Sequence, residues 1–352
     1  MKNAFHFPLS TFYLLSSFLF LLVSCAPKGP ATLTIMTHDS FAISEDVVTA
    51  FETANNVDVV FLQSGDAGAM LNKAILAKDA PLADVMFGVD NTFLSRALEA
   101  DIFDAYQSPA LSEVPAEFVL DSTFHALPVD YGDVCINYDK KYFAENNVAV
   151  PGSFEDLAKP EYKGLLVVEN PATSSPGLAF MLATRAYFGE GFLDYWQSLK
   201  DNGVAVADGW ETAYYTDFSA SSGQGPQPMV VSYASSPAAE VFFASEPLTE
   251  SPTASIVASG MCFRQIEFVG TLRVKNGGNR DLAEKFIDFM LSKQFQEDMP
   301  LNMFVYPVNQ TAQLPEVFVQ HAQVAEQPAN LSYDEIAANR DAWIEAWAEM
   351  MK

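Results

Sequence analysis

The chain's four histidines, His6, His38, His125 and His321, are widely separated. No serine elbow, phosphate loop, HExxH zinc helix, dinucleotide glycine fingerprint or CxxC pair occurs. Catalysis needs a nucleophile, a base or a metal set within reach of one another. Only carboxylates are plentiful here, so neither a metal centre nor a cofactor is expected, and an exported enzyme remains a minor alternative. The chemistry-bearing residues gather instead in short loops: 37–41 (THDSF), 89–91 (VDN), 170–177 (NPATSSPG), 208–214 (DGWETAY) and 232–237 (SYASSP). Each joins turn-forming residues to a carboxylate, a hydroxyl or an aromatic ring. Such loops suit noncovalent capture of a small polar or charged molecule.

The segments between these loops must position them. Residues 32–37 (TLTIMT) alternate like a strand, and Val47, Val48, Phe51 and Ala54 then recur at helical spacing. Residues 57–62 and 83–88 read as further strands, with a helix at 70–76 between them. The alternation resumes with strands at 165–169 and 229–233 and helices at 178–187 and 193–199. Strand–helix alternation of this kind implies an α/β fold with helices on both faces of a sheet. Leu282, Phe286, Phe289 and Met290 mark a late amphipathic helix. Ser332 and Glu335 form a capping box that opens a final helix, whose Ile336, Trp343, Ile344, Trp347 and Met351 make one apolar stripe. Residues 134–138 (VCINY) and 262–270 (CFRQIEFVG) lie between the two groups of elements. They are the expected crossing strands between two lobes, residues 32–133 with 263–352 and residues 134–262. The ligand belongs between the lobes, at the carboxyl ends of the strands.

Composition supports a folded chain with room for two such lobes: 49% of residues are hydrophobic and 18% charged. The net charge of −26 repels phosphate backbones, so nucleic acid is not expected as a partner. Residues 1–24 read as a signal peptide: Lys2, then no charged residue as far as Ser24, with an apolar core ending at Leu22, Val23, Ser24 and Cys25. That tetrapeptide resembles a bacterial lipobox, which makes Cys25 the expected lipidation site and 25–31 a tether. The apolar run is shorter than the ~20 residues a spanning helix needs, so the chain should be lipid-anchored outside the cytoplasm rather than embedded. Cys135 and Cys262 fall one on each crossing strand. A disulfide between them requires Cα atoms within ~7 Å; otherwise they are two separate core thiols.

Eight motifs in order, HDSF (38–41), GVDN (88–91), PVDYG (128–132), TSSPGL (173–178), GW–TAY (209–214), SYASSP (232–237), YPV (306–308) and R–AWI–AW (340–347), resemble the thiamine-binding proteins of bacterial ABC importers. The resemblance runs from residue 32 to the C-terminus. It implies the two-lobed type II periplasmic-binding fold, a monomer, a thiamine-like cationic ligand and an importer permease as partner. It also implies that Trp210 and Tyr233 stack on the ligand, with Tyr214, Phe304 and Tyr306 as further aromatic contacts. Asp39, Ser40, Asp90 and Asn91 would meet the pyrimidine edge and the positive ring; as an alternative, Asp and Asn at strand ends serve as caps and turns. Thr173, Ser174 and Ser175, at a helix start, would hold the alcohol or phosphate end. Four departures concern the ligand: Phe304 replaces a tryptophan, His38 a tyrosine, and Ala172 an arginine, which removes a bidentate phosphate partner, and an aromatic expected shortly after DSF is missing from residues 42–47. Unphosphorylated thiamine or its pyrimidine precursor is therefore as much an expectation as a phosphate ester. The closest rival is ferric-ion capture in the same fold through Tyr214 and Tyr215.

Overall fold

The computed structural model describes Met1 and residues 29–220, 224–273 and 278–352. The expected signal peptide beyond Met1, Cys25 and most of the expected tether lie outside the described residues. No described helix is long and apolar enough to cross a membrane.

The described strands form one eleven-stranded mixed sheet. Its main path uses β1 (Ala31–Thr37), β2 (Val57–Gln63), β3 (Val85–Asp90), β4 (Leu127–Asp139), β5 (Leu166–Glu169), β6 (Ala205–Ala207), β7 (Met229–Tyr233) and β8 (Phe263–Leu272). Their order is β2-β1-β3-β8-β4-β7-β5-β6. β1 runs parallel to β2 and β3 at one end, and β5 runs parallel to β6 and β7 at the other. Antiparallel β8 and β4 join the two parallel groups. Within β4 the partner changes at Val134: residues from Leu127 to Val134 pair with β8, and residues from Val134 to Tyr138 pair with β7. Two long strands thus serve both halves of the molecule, a geometry suited to hinge rotation.

The helices follow from apolar spacing. α1 (Glu45–Asn55) buries Val47 and Phe51, and α2 (Ala67–Leu76) buries Met70, Leu71 and Ala74. α3 (Ser175–Phe188) is buried along most of its length, and α4 (Phe192–Asp201) buries Phe192, Tyr195, Trp196 and Leu199. α5 (Arg280–Met290) continues the first half's core through Phe286, Ile287 and Met290.

The last helix, α6 (Tyr333–Met351), opens where expected, with Ser332 Oγ accepting from Glu335 N at 3.2 Å. Its stripe faces core, but not only the first half's. Trp347 meets Trp196 of α4 edge to face at 5.4 Å, and Lys200 donates to Met350 O. Arg340, almost wholly buried, donates to Ser95 Oγ in the first half and lies over the Phe93 ring. Residues 333–351, expected with the first lobe, therefore strap both halves. Their apolar stripe showed that they would be buried, but a stripe carries no information about which surface covers it.

Candidate ligand-binding cleft

A cleft of about 750 Å³ lies between the halves. The first half contributes the loop after β1, the start of α2, the middle of β8 and the segment around Phe304. The second contributes the start of α3, the 208–215 loop and the end of β7.

Trp210 begins a tight turn after β6, and its ring is fixed on several sides. Nε1 donates to Ser232 Oγ at 2.9 Å, Tyr214 stacks on it at 5.1 Å, and Tyr215 meets it edge-on at 5.4 Å. Tyr233 stands 6.5 Å from it at 66°, with its hydroxyl donating to Gln265 Oε1 at 2.9 Å. Glycine makes this placement possible: a Cβ on Gly132 of β4 would lie 2.9 Å from Tyr233 Cδ1, so the ring rests directly on bare backbone. Gly88 of β3 does the same for His38, with φ at +100° and space for a Cβ only 2.3 Å from the imidazole Cδ2.

Of the residues singled out from sequence, Asp39, Ser40, Thr173, Ser175, Trp210, Tyr214, Tyr233 and Phe304 line the cleft. Asp90, Asn91, Ser174 and Tyr306 do not. Asp90 lies wholly buried behind the floor and accepts from Thr92 and from Gln265 Nε2. Burial pushes its carboxyl up to about 7, with Glu267 adding to that and the Thr92 bond opposing it. Asn91 spends its amide on the β8 backbone, donating to Arg264 O and accepting from Ile266 N. Ser174 is the buried cap position of α3. Tyr306 is packed between Tyr131, stacked at 5.3 Å, and Phe318, edge-on at 4.7 Å. Strand-end Asp and Asn here do what such residues do in most turns.

Two carboxylates, Asp66 and Glu267, line the cleft although neither stands in a loop singled out from sequence. Asp66 caps α2 by accepting from Ala67 N at 2.7 Å, and its other oxygen accepts from Trp210 N at 3.1 Å across the cleft. It also accepts a longer bond from Ser175 N, at 3.4 Å. Burial raises its pKa, against these amide bonds. The Asp after Gly65 at the start of a helical pattern was a readable capping signal, though not a readable cleft position. Glu267 lies in β8 between Ile266 and Phe268, inside what reads as an apolar strand. His38 faces it, Nε2 to Oε1 at 3.4 Å. Burial lowers the His38 pKa, but Glu267, with Asp66 and Asp39, outweighs this and holds it above its ordinary value.

The wall is predominantly acidic, with His38 its one basic side chain among the described lining residues. Asp39, Asp66, Asp208, Glu211 and Glu267 line it, and among the described lining residues there is no lysine or arginine. The Tyr214 hydroxyl is already committed, donating to Glu240 Oε1. Burial and then Glu240, which accepts the Tyr214 hydroxyl's hydrogen bond, push the Tyr214 pKa well up. The two rings stand perpendicular, at 85°. Cys135 of β4 and Cys262, just before β8, have bonded sulfurs and Cα atoms 4.4 Å apart.

This arrangement of halves, crossing strands and cleft has known counterparts. A profile of bacterial extracellular solute-binding proteins matches residues 80–338. The thiamine-binding periplasmic protein of Salmonella typhimurium is 31% identical over 343 residues, covering 95% of this chain and 98% of that one. That of Escherichia coli is 30% identical, covering 93% and 96%. A solved periplasmic thiamin-binding protein superposes with a TM-score of 0.80 at 26% identity, over 92% of this chain and 97% of the other. The relatives are binding proteins of the two-lobed periplasmic type, and this chain belongs to the bacterial extracellular solute-binding proteins.

Proposed function

We propose that the chain captures thiamine outside the cytoplasm and delivers it to the permease of an ABC importer, without covalent chemistry. One observation carries the reading: Trp210 and Tyr233 project into a cleft lined by five carboxylates, with His38 and neither lysine nor arginine among the described lining residues. Thiamine is a flat aminopyrimidine joined to a thiazolium cation, and a desolvated cation on an aromatic face gains roughly 2 kcal/mol. The relatives named for thiamine support the choice over a ferric ion, as does the commitment of Tyr214 to Glu240. The lobes are residues 32–133 with 263–352, and residues 134–262, with α6 shared between them. Opening and closing about β4 and β8 admits and retains the ligand, and the closed form is what the permease reads. Cys25 carries the lipid that holds the monomer at the membrane, and the 25–31 tether spaces it away.

Phosphorylated tails fit this wall poorly. A diphosphate would approach Asp66 and Glu211 with no arginine or lysine of the lining to meet it. Calorimetric titration of residues 26–352 should give saturable one-to-one binding of thiamine, at least about tenfold tighter than thiamine diphosphate. Equal affinity for the two would remove the charge argument. Absence of heat with every thiamine form, together with a coloured complex on adding Fe³⁺, would replace this reading with iron capture.

A further inference from the structure

Three carboxyls stand side by side across the sheet that underlies the cleft, only Glu267 of them in its lining. In the sheet register Glu267 of β8 lies opposite Asp90 of β3 on one side and opposite Asp130 of β4 on the other. Residues directly opposite in antiparallel pairs point to one face with Cβ atoms ~5 Å apart, and like charges so placed repel. Asp130 is fully buried, and neither of its oxygens has a hydrogen-bond donor. Asp90 is satisfied by Thr92 and Gln265, whereas Glu267, 7% exposed, is the member that reaches the cleft.

The groups facing this row are few. His38 comes from the end of β1 with Nε2 toward Glu267, and Tyr233 of β7 reaches the row through Gln265. Asp66 and Asp39 approach His38 from the loops. The nearby Arg264 is turned away, held by Asp133 through two bonds of 2.9 and 2.8 Å. The row therefore has no fixed cation of its own except a protonated His38.

Resting on the reading of the ligand as a thiamine-class cation, we propose that Glu267 is the ligand's counter-ion and that Asp130 and His38 hold protons for it in the empty cleft, so that cation binding expels a proton. The physical cause is competition. Two adjacent buried carboxyls titrate as a pair and cannot both ionise cheaply. Burial and then Glu267 hold the Asp130 proton on, far above the ordinary carboxylate range. An arriving cation within ~4–6 Å favours the ionised carboxylate. It also takes over the negative charge that keeps His38 protonated. An O–H bond of the pair or the N–H⁺ of His38 is broken, and the proton leaves to solvent. The ligand gains no covalent bond. None of this arises for a neutral ligand, so the device selects for positive charge.

Titrating thiamine into the whole mature chain at one pH, in buffers of different ionisation enthalpy, measures the protons released. We expect on the order of half to one proton per thiamine near pH 7, and affinity that rises with pH between about 5 and 8 at the slope this release dictates. Glu267→Gln should weaken thiamine by about ten- to a hundredfold. Asp130→Asn removes the carboxyl that holds a proton beside Glu267 and should cut the proton release by at least half, which a merely structural residue would not do. Circular dichroism and thermal melting check that each variant is folded. Thiamine binding with no buffer dependence in the unaltered protein, or unchanged affinity in folded Glu267→Gln, overturns the inference and leaves the thiamine reading standing. Failure of the unaltered protein to bind thiamine at all overturns both.

Discussion

Trp210→Ala is expected to weaken thiamine binding by about ten- to a hundredfold, roughly 1.4–3 kcal/mol. The size follows from how little freedom the indole has. Its Nε1 is tied to Ser232, Tyr214 backs one face, and its own backbone amide is held by Asp66 from the opposite half. A ring already fixed loses little entropy when a ligand stacks on it, so most of the contact energy appears as affinity. Trp210→Phe keeps an aromatic face but abandons the bond to Ser232, and should fall between alanine and the native residue. Alanine would not remove the bond from residue 210 N to Asp66, so a lost closure contact is not the cause. Titration of the three proteins with thiamine gives the ranking. An alanine variant as tight as the native protein would place the ligand elsewhere in the cleft.

What could be read from the chain, and what could not, divides along physical lines. Period-two and period-3.6 patterns report which face of an element is buried, and the positions of β1, β2, β7 and α4 were legible within a residue or two of the observed limits. The aromatic half of the cleft was legible through the family resemblance, whose motifs mark Trp210 and Tyr233 as stacking positions. The acidic half was not. Glu267 is flanked by Ile266 and Phe268, and only the pairing of β8 with β3 and β4 reveals that its carboxyl reaches the cleft beside two others. Asp66 is a helix cap, and its second role depends on the opposite half arriving at its free oxygen. Conversely, Asn91 and Tyr306 sit in the right loops, yet their side chains turn to the β8 backbone and to Tyr131 and Phe318. Local sequence selects the residue type a turn tolerates; it does not select the direction in which the side chain leaves it.

Replacing Cys135 and Cys262 together by alanine is expected to lower folding stability by about 2–5 kcal/mol while changing thiamine affinity less than about threefold. The bond closes a loop between residues 127 apart in sequence, for which the chain-entropy account gives about 5 kcal/mol as an upper figure. Both side chains are fully buried in a small cluster with Ala234 and Ala325, so alanine also leaves a modest void. Affinity should be spared because of where the bond lies. Cys135 is one residue beyond the point at which β4 exchanges β8 for β7, and Cys262 immediately precedes β8. The link therefore ties the two crossing strands at the second half's end of the hinge, leaving the β4 and β8 segments under Tyr233 and Glu267 untouched. Urea unfolding followed by tryptophan fluorescence measures the first effect, and calorimetry the second. Thiol titration of the unfolded native chain under non-reducing conditions should find neither sulfur free. A double variant as stable as the native protein would show the bond to be idle. A stable variant that lost affinity would instead make it part of the closing motion, because a cross-link that only restrains the unfolded chain cannot alter how the folded lobes hold a ligand.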